Sequence, residues 1–315
     1  MRSLRLGSIL LCLLSLAGCR GIDLINQAPA PLKPIKPATH KVVLVVLENQ
    51  RYQAIIGNAH APYLNRLANE YAVAQNFYAD VHPSIGNYFM LTVGSSVTND
   101  LNFAQKVSDD NLAREMGQAA MGWKAYLESI PRVGYHGDGP YPYAKTHNPY
   151  AYFTDIAQYH FEANNMVGLD QYTADVTSDS LPSFALLIPD QTHNMHDCGG
   201  GGRNCTNDDK VAAGDAWLQT NLDPLFNTTS FQSGNTLLII TWDESWDNDN
   251  DHGGGHVPVI VIGKNVKPHY ASTTFYQHES VLRLICEYLG LKNDLSKAAN
   301  APDMQEFFSD PGTDY

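Results

Sequence analysis

The stretch Lys41-Val42-Val43-Leu44-Val45-Val46-Leu47, followed at once by Glu48-Asn49, decides the fold. An unbroken β-branched run with no polar face reads as a strand covered on both sides, the mark of a parallel sheet. Comparable runs recur at Phe184-Ala185-Leu186-Leu187-Ile188, at Thr236-Leu237-Leu238-Ile239-Ile240-Thr241 and at Val257-Pro258-Val259-Ile260-Val261-Ile262, where Pro258 suits the start of a strand better than its middle. Helical spacing lies between them: Leu64, Leu67, Ala68 and Tyr71; Leu112, Met116 and Ala119; and Val281, Leu282, Ile285, Tyr288 and Leu289, which stops at Gly290 as a natural cap. Alternating strands and helices predict an α/β fold of three layers, α/β/α, with a mostly parallel central sheet. Ligands of such sheets bind beyond the carboxyl ends of the strands. Four polar clusters stand at strand ends: Glu48-Asn49, Pro189-Asp190 through Asp197, Trp242-Asp243-Glu244, and His256 just before the last run.

The first residues read as an export signal. Arg2 and Arg5 precede the apolar Leu10-Leu11-Cys12-Leu13-Leu14, and Leu16-Ala17-Gly18-Cys19 closes the segment. The run is too short for a membrane-spanning helix, which needs about 20 apolar residues. Leu-Ala-Gly-Cys is similar to the bacterial lipobox, which implies that Cys19 is lipidated and becomes the new N-terminus. Arg20 in place of an aspartate favours the outer membrane. Residues 1–18 are therefore expected to be a lipoprotein signal peptide. Residues 19–39, with Pro29, Pro31, Pro34 and Pro37, read as an extended tether, and 40–315 as one domain. Membrane contact is expected through the lipid anchor only, because no later segment is apolar enough to span a bilayer.

The chain carries 20 basic and 33 acidic residues, a net charge of −13, and cleavage would remove Arg2 and Arg5 but no acid. Such a surface repels nucleic acid and anionic headgroups alike. A phosphate-bearing ligand would need positive charge inside the site, and no Lys/Arg cluster lies near the motifs, which points to a metal ion. Cys198 and Cys205 bracket Gly199-Gly200-Gly201-Gly202-Arg203-Asn204, a loop flexible enough to close as a disulfide in an oxidising envelope; two free thiols or a zinc contact are the other readings. Cys286 sits in a helical apolar pattern and reads as buried.

One more motif carries chemistry: His82-Pro83-Ser84-Ile85-Gly86-Asn87-Tyr88, followed by Leu91-Thr92-Val93-Gly94. A serine at a helix start has backbone N–H groups and the positive end of the dipole beside it, a ready site for a phosphoryl oxygen. Its hydroxyl becomes a nucleophile only when a base or metal lowers its proton affinity. Glu48, Asp243 and Glu244 are the groups available to hold such an ion. Ordinary helix capping is the competing reading for Ser84, and solvated strand ends the competing reading for the acids.

Leu47-Glu48-Asn49, His82-Pro83-Ser84 through Gly94, His147-Asn148-Pro149, Asn194-Met195-His196-Asp197, Trp242-Asp243-Glu244 and Gln277-His278-Glu279-Ser280 together resemble the bacterial phosphoesterase family of the alkaline phosphatase superfamily. That family includes secreted acid phosphatases and phosphatidylinositol-phosphate phosphatases, with phospholipases C as relatives. The resemblance runs from about Val42 to Leu291. It implies Ser84 as nucleophile, and Glu48, Asn49, Asp243 and Glu244 as ligands of one or two divalent metal ions. His196, His256 and His147 are implied as catalytic histidines. Asn87, Asn99, Asp190 and His278 are implied as substrate contacts. Asp190, His196 and His256 also match the region that holds a second ion in two-metal relatives, with His193 close enough to stand in for His196. Gly86 replaces the proline usual before the asparagine in the similar nucleotide phosphodiesterases.

The resemblance further implies a phosphomonoesterase acting on a small phosphorylated substrate or a phospholipid headgroup through a phosphoseryl intermediate. A phospholipase C or other phosphodiesterase on the same scaffold is the nearest alternative, and a non-catalytic surface-binding lipoprotein is the alternative of another class. Asp247-Asn248-Asp249-Asn250-Asp251 resembles a calcium loop only faintly, since His252 displaces the glycine such a loop needs; a mobile acidic lid is the preferred reading. The aromatic stretch from Tyr135 to Tyr143 reads either as a loop shaping the mouth of the site or as an ordinary surface loop.

Overall fold

Eight strands form one sheet among the described residues of the computed structural model, which are 39–309 apart from Arg203 and Asn293. In chain order they are β1 (Lys41–Leu47), β2 (Ala72–Ala74), β3 (Trp123–Leu127), β4 (Met166–Val167), β5 (Phe184–Ile188), β6 (Thr236–Trp242), β7 (Val259–Ile262) and β8 (Tyr270–Ser272). Across the sheet the order is β4-β3-β5-β1-β6-β7-β2-β8. Every pairing is parallel except the two made by β7, with β6 and with β2. The export signal and Cys19 lie outside the described residues, as does nearly all of the 19–39 tether.

The residues of β1 from Val42 to Leu47 are all 0 % exposed. Because side chains alternate between faces, this burial requires cover on both sides of the sheet. Two sets of helices provide it. Ile85–Val93 packs with His278–Tyr288 and Leu112–Gln118, whereas Pro62–Glu70 and Leu169–Thr177 both pack on the long helix Asn207–Phe226. The expected strands appear where the apolar runs place them, with Pro258 just ahead of β7. Gly290 adopts φ +63° directly after the last of these helices, as the cap reading requires.

One register positions the chemistry. β1 and β6 pair in parallel from Lys41 with Thr236 to Leu47 with Trp242, so Glu48 and Asp243 leave the sheet side by side. Asp243 N–H donates to Leu47 O, and Glu48 N–H to Asn194 O, which draws the segment after β5 to the same edge. No helix among the described residues is long and apolar enough to cross a membrane.

The helix layer on the Asn207–Phe226 side is tied by a buried acid. Asp215 accepts from Tyr63 N–H and Leu64 N–H, both at 2.9 Å, and so satisfies the first turn of Pro62–Glu70, where Ala61 offers no side-chain cap. Asp215→Ala orphans both donors in a buried place and should cost about 2 kcal/mol in urea unfolding. Asn248→Ala, on the exposed loop after β6, should change stability by less than about 0.5 kcal/mol; equal effects would show that Asp215 is not a structural cap.

Candidate active site

Ser84 precedes the helix Ile85–Val93 and caps nothing: its backbone is already helical (φ −36°, ψ −49°), and its side chain accepts from no N–H of the first turn. The hydroxyl turns instead to the edge of the sheet. It lies 3.2 Å from Glu48 Oε2 and 3.0 Å from Glu244 Oε1, in a pocket where Ser84 is 7 % exposed. Gly86 makes the approach possible. A Cβ there would stand 2.5 Å from both Asn99 Oδ1 and Val81 Cγ2, so the residue that departs from the phosphodiesterase pattern is one this turn requires.

Glu48, Asp243 and Glu244 are 0 %, 0 % and 2 % exposed. Burial, and then the neighbouring charges of Asp243 and Glu244, push the Glu48 carboxyl well above its usual range. Burial and the charge of Glu244 lift Asp243 to about 7. Tyr88 O–H donates to Glu48 Oε1 at 2.9 Å, and Asn49 N–H donates to Asp243 Oδ1 at 3.3 Å. Asn49 can reach because it takes φ +41°, a left-handed turn that asparagine tolerates.

His82, two residues before the serine, takes its role from contacts that the motif alone does not show. Its Nδ1 is 2.6 Å from Glu244 Oε2 and its Nε2 donates to Asp249 O at 2.9 Å. The bond to Glu244 raises the imidazole to about 9, so it is a cation at neutral pH. His82 thereby faces Glu244 as a counter-ion, while Glu48 and Asp243 have none and hold their protons more tightly. Two oxygens in the same place, Asn49 Oδ1 and Asp243 Oδ2, are buried with no hydrogen-bond partner. Unpartnered hard oxygen donors beside two carboxyls without a counter-ion fit a divalent cation. Glu48, Asn49, Asp243 and Glu244 are the residues that would hold it.

His196 stands on the rim. Its Nδ1 is 2.8 Å from Asp197 Oδ1, its side chain is 41 % exposed, and its Nε2 has no partner among the described residues. Tyr141 and the 190–197 segment adjoin there, since Asp197 and Asp190 both raise the Tyr141 hydroxyl, after burial, and Gln191 N–H donates to Pro142 O. The aromatic loop thus borders the site.

Several sequence expectations need correction. His147 lies 3.1 Å from Glu48 Oε1 and stacks on Tyr88, but burial and then the charge of His196 lower it to about 3. Its burial and its contact with Glu48 place it to orient that carboxylate. His256 has both ring nitrogens engaged, Nε2 with Gln75 O at 2.9 Å and Nδ1 near Gln53 Nε2, and it stacks between Tyr52 and Tyr78. No contact joins it to Ser84. Asn87 spends its amide bracing the preceding loop: Oδ1 accepts from Asp80 and Val81 N–H, and Nδ2 donates to Val81 O. His278 is 0 % exposed and links Asp80 Oδ2 to Trp242 O. Both ring nitrogens of His278 are engaged, whereas the Asn87 amide keeps one N–H beyond its bond to Val81 O. Asn99 remains exposed beside Gly86. Cys198 and Cys205 are joined as a disulfide, and Cys286 is buried and free.

Asp190 belongs to a different cluster. Glu128, Asp190 and His193 bring one ligand atom each within 4.8 Å of one another, the single such group among the described residues. Asp190 accepts from Ser129 Oγ, Thr192 N–H and Thr192 Oγ1, and His193 Nδ1 lies 3.1 Å from Glu128 Oε2 and 3.5 Å from Asp190 Oδ1. Hydrogen bonds to Asp190 and Glu128 raise His193 to about 10. Burial alone would raise Asp190, yet its bonds from His193, Ser129 and Thr192 hold it at about 2. The three groups bond to one another and brace the ends of β3 and β5, and the same three ligand atoms are close enough together to hold a cation. Glu128 was invisible in the sequence because a lone glutamate after β3 carries no motif.

His193 supports the fold fully below its unfolded value of 6.5 and loses that support as pH rises through about 10; Asp190 supports it above 3.8 and loses that support as pH falls through about 2. His193→Gln should therefore lower the urea midpoint most near pH 5–6, with the deficit shrinking toward pH 10. A deficit independent of pH would contradict the ion-triad reading.

The phosphoesterase family's sequence model matches residues 58–292. A phosphatidylinositol-3-phosphatase of Mycobacterium tuberculosis is 29 % identical over 87 % of this chain and 84 % of its own length. A phosphate-repressible acid phosphatase of Penicillium chrysogenum is 25 % identical over 86 % of this chain, which spans 65 % of that protein. Among solved structures, a protein in the alkaline phosphatase superfamily from Vibrio parahaemolyticus superposes with a TM-score of 0.59 at 15 % identity, covering 90 % of this chain and 77 % of its own. The lipoteichoic acid synthase LtaP from Listeria monocytogenes gives 0.59 at 9 % identity, covering 82 % and 74 %. These structures share the α/β fold, and the match to the family model covers most of the chain: it belongs to the phosphoesterase family.

Proposed function

We propose that this chain is an exported phosphomonoesterase of acid-phosphatase type, lipid-anchored through Cys19, acting on a small phosphate monoester or a phosphorylated lipid headgroup. One observation carries the reading: the Ser84 hydroxyl, released from capping, is bracketed by the carboxylates of Glu48 and Glu244 at the ends of adjacent strands. The names of the relatives, an acid phosphatase and a phosphatidylinositol-3-phosphatase, support the substrate class.

The chemistry follows from the groups in place. Ser84 Oγ donates toward Glu48 Oε2 and Glu244 Oε1, so either carboxylate is placed to take its proton. The alkoxide attacks phosphorus in line as the bond to the leaving oxygen breaks, giving phosphoserine. His196, oriented by Asp197, gives its Nε2 proton to the leaving alkoxide and then takes one from the water that attacks phosphorus, as the bond to Ser84 Oγ breaks, the carboxylate returns its proton to Oγ and phosphate is released. Tyr88 and His147 hold Glu48 in position throughout, and His82 does the same for Glu244. A divalent cation bound by Glu48, Asn49, Asp243 and Glu244 would lower the proton affinity of the serine and offset charge on the phosphoryl oxygens.

Ser84→Ala should abolish hydrolysis of p-nitrophenyl phosphate while leaving the melting temperature within a few degrees. Wild type should turn over this monoester much faster than bis-p-nitrophenyl phosphate. Near-normal activity of the variant would reject the nucleophile, a preference for the diester would favour the phospholipase C reading, and no activity on either would favour a non-catalytic binder. His196→Ala should lower kcat by about 10²–10⁴-fold, the range of a general acid, whereas His256→Ala should retain at least half of it; the opposite order would reverse the two assignments.

A further inference from the structure

The turn that supplies Glu48 and Asn49 continues into Gln50 and Arg51, which the chemistry above does not use. Gln50 is buried and fully bonded. It forms a reciprocal amide pair with Asn207 at 3.0 Å in both directions, donates to Met195 O, and accepts from Trp246 Nε1 at 3.3 Å. Those bonds fix the indole of Trp246, and the Arg51 guanidinium lies over that indole, 3.5 Å from the ring centroid. A planar guanidinium stacked on an aromatic face is oriented without using its N–H donors.

The donors stay free. Arg51 makes no ion pair and no side-chain hydrogen bond with any described residue, in a chain that offers 33 acidic residues to 20 basic ones. Asp247 and Asp249 follow Trp246 closely, yet Asp249 gives its carboxylate to Ser245, His256 N–H and Asp251 N–H. Arg51 is three residues from Glu48 and Trp246 two from Glu244. At no more than about 3.6 Å per residue, the Arg51 Cα lies within about 11 Å of the Glu48 Cα, and the Trp246 Cα within about 7 Å of the Glu244 Cα. The stacked pair thus rises from the same two strand-end segments as Glu48 and Glu244, which bracket Ser84.

A preoriented fork with five unpaired donors matches phosphate geometry, and rigid placement reduces the ordering cost when the anion arrives. We propose that Arg51, held flat on Trp246, is a specificity-determining contact for a second phosphate group carried by the substrate, distinct from the one hydrolysed. The proposal rests on the phosphomonoesterase reading and narrows its substrate class. Two sources share this chemistry: a soluble bisphosphate, and a phosphorylated inositol lipid whose diester phosphate is the second group.

The test measures kcat/KM for wild type, Arg51→Gln and Arg51→Lys on p-nitrophenyl phosphate, on inositol 3-phosphate, on inositol 1,3-bisphosphate, and on phosphatidylinositol 3-phosphate in neutral vesicles. Wild type should favour the bisphosphate over the monophosphate by about tenfold or more, the size of a charge-assisted contact. Arg51→Gln should erase that preference through KM, and Arg51→Lys should keep part of it. Erasure in both solution and vesicles marks the shared phosphate contact, and erasure confined to vesicles marks the lipid as its source. Equal losses on all substrates would show that Arg51 is only a strap between the 48–52 and 243–246 segments, and would overturn the proposal. So would wild-type turnover of p-nitrophenyl phosphate without any preference for the bisphosphate or for the lipid, which leaves the phosphomonoesterase reading standing. Absence of turnover on every substrate would remove both.

Discussion

Like charges held together out of water are the constraint on which this structure depends. Ser84 Oγ touches both Glu48 Oε2 and Glu244 Oε1. The two oxygens are therefore no more than about 6 Å apart, and two full charges at that distance repel by roughly 3 kcal/mol at an effective dielectric of about 20. A hydroxyl donating to both contributes on the order of 1 kcal/mol net, which is too little. Asp243 adds a third buried carboxylate. Protonation or a cation must meet the difference. His82 does so for Glu244, while Glu48 and Asp243 have no cation of their own and show raised proton affinity. Carboxylates held against their repulsion, with two oxygens left without donors, would suit a divalent ion, as proposed for this site.

The fold enforces that crowding through rigid elements. Parallel pairing of β1 with β6 puts Glu48 beside Asp243, and the buried core on both faces prevents either strand from slipping to relieve it. The helix Ile85–Val93 then brings Ser84 to the same edge. Its turn is packed closely enough that Gly86 admits no side chain, and Asn87 ties the turn to the Asp80–Val81 backbone. Around the carboxylates, Tyr88, His147 and Asn49 act as struts, each spending a polar group on a carboxylate instead of on solvent. The brace made by Glu128, Asp190 and His193 fixes the next strand ends in the same manner, with an imidazolium as its internal counter-ion.

Burial was the part of this molecule that the sequence made legible. Strands β1, β5, β6 and β7 sit in the interior of the sheet and read as apolar runs, because both of their faces are covered. Strands β2, β4 and β8 are two or three residues long and lie toward the edges, too short for any periodicity, and Lys124 interrupts β3. The antiparallel direction of β7 was not legible, since direction is set by the connections and not by residue type. The longest helix, Asn207–Phe226, was missed because Asp, Asn and Thr dilute its apolar stripe. In the site, Ser84 and the acids at 48, 243 and 244 were legible because strand ends and a helix start are where such groups act. The histidines were harder. His256, His278 and His147 differ from His196 in how their ring nitrogens are used, and His82 acquires its role from Glu244, 162 positions away. Such partners come from tertiary contacts that spacing along the chain does not encode.

The most direct measurement of the central claim is metal content and affinity, read by elemental analysis of the purified protein and by titration of the chelated form with a divalent cation. One ion per chain is predicted in wild type, with at least tenfold weaker binding in Glu48→Gln and Asp243→Asn and little change in His193→Gln. A protein that binds no ion, or one whose affinity survives both carboxylate changes and falls with His193→Gln, would contradict the account.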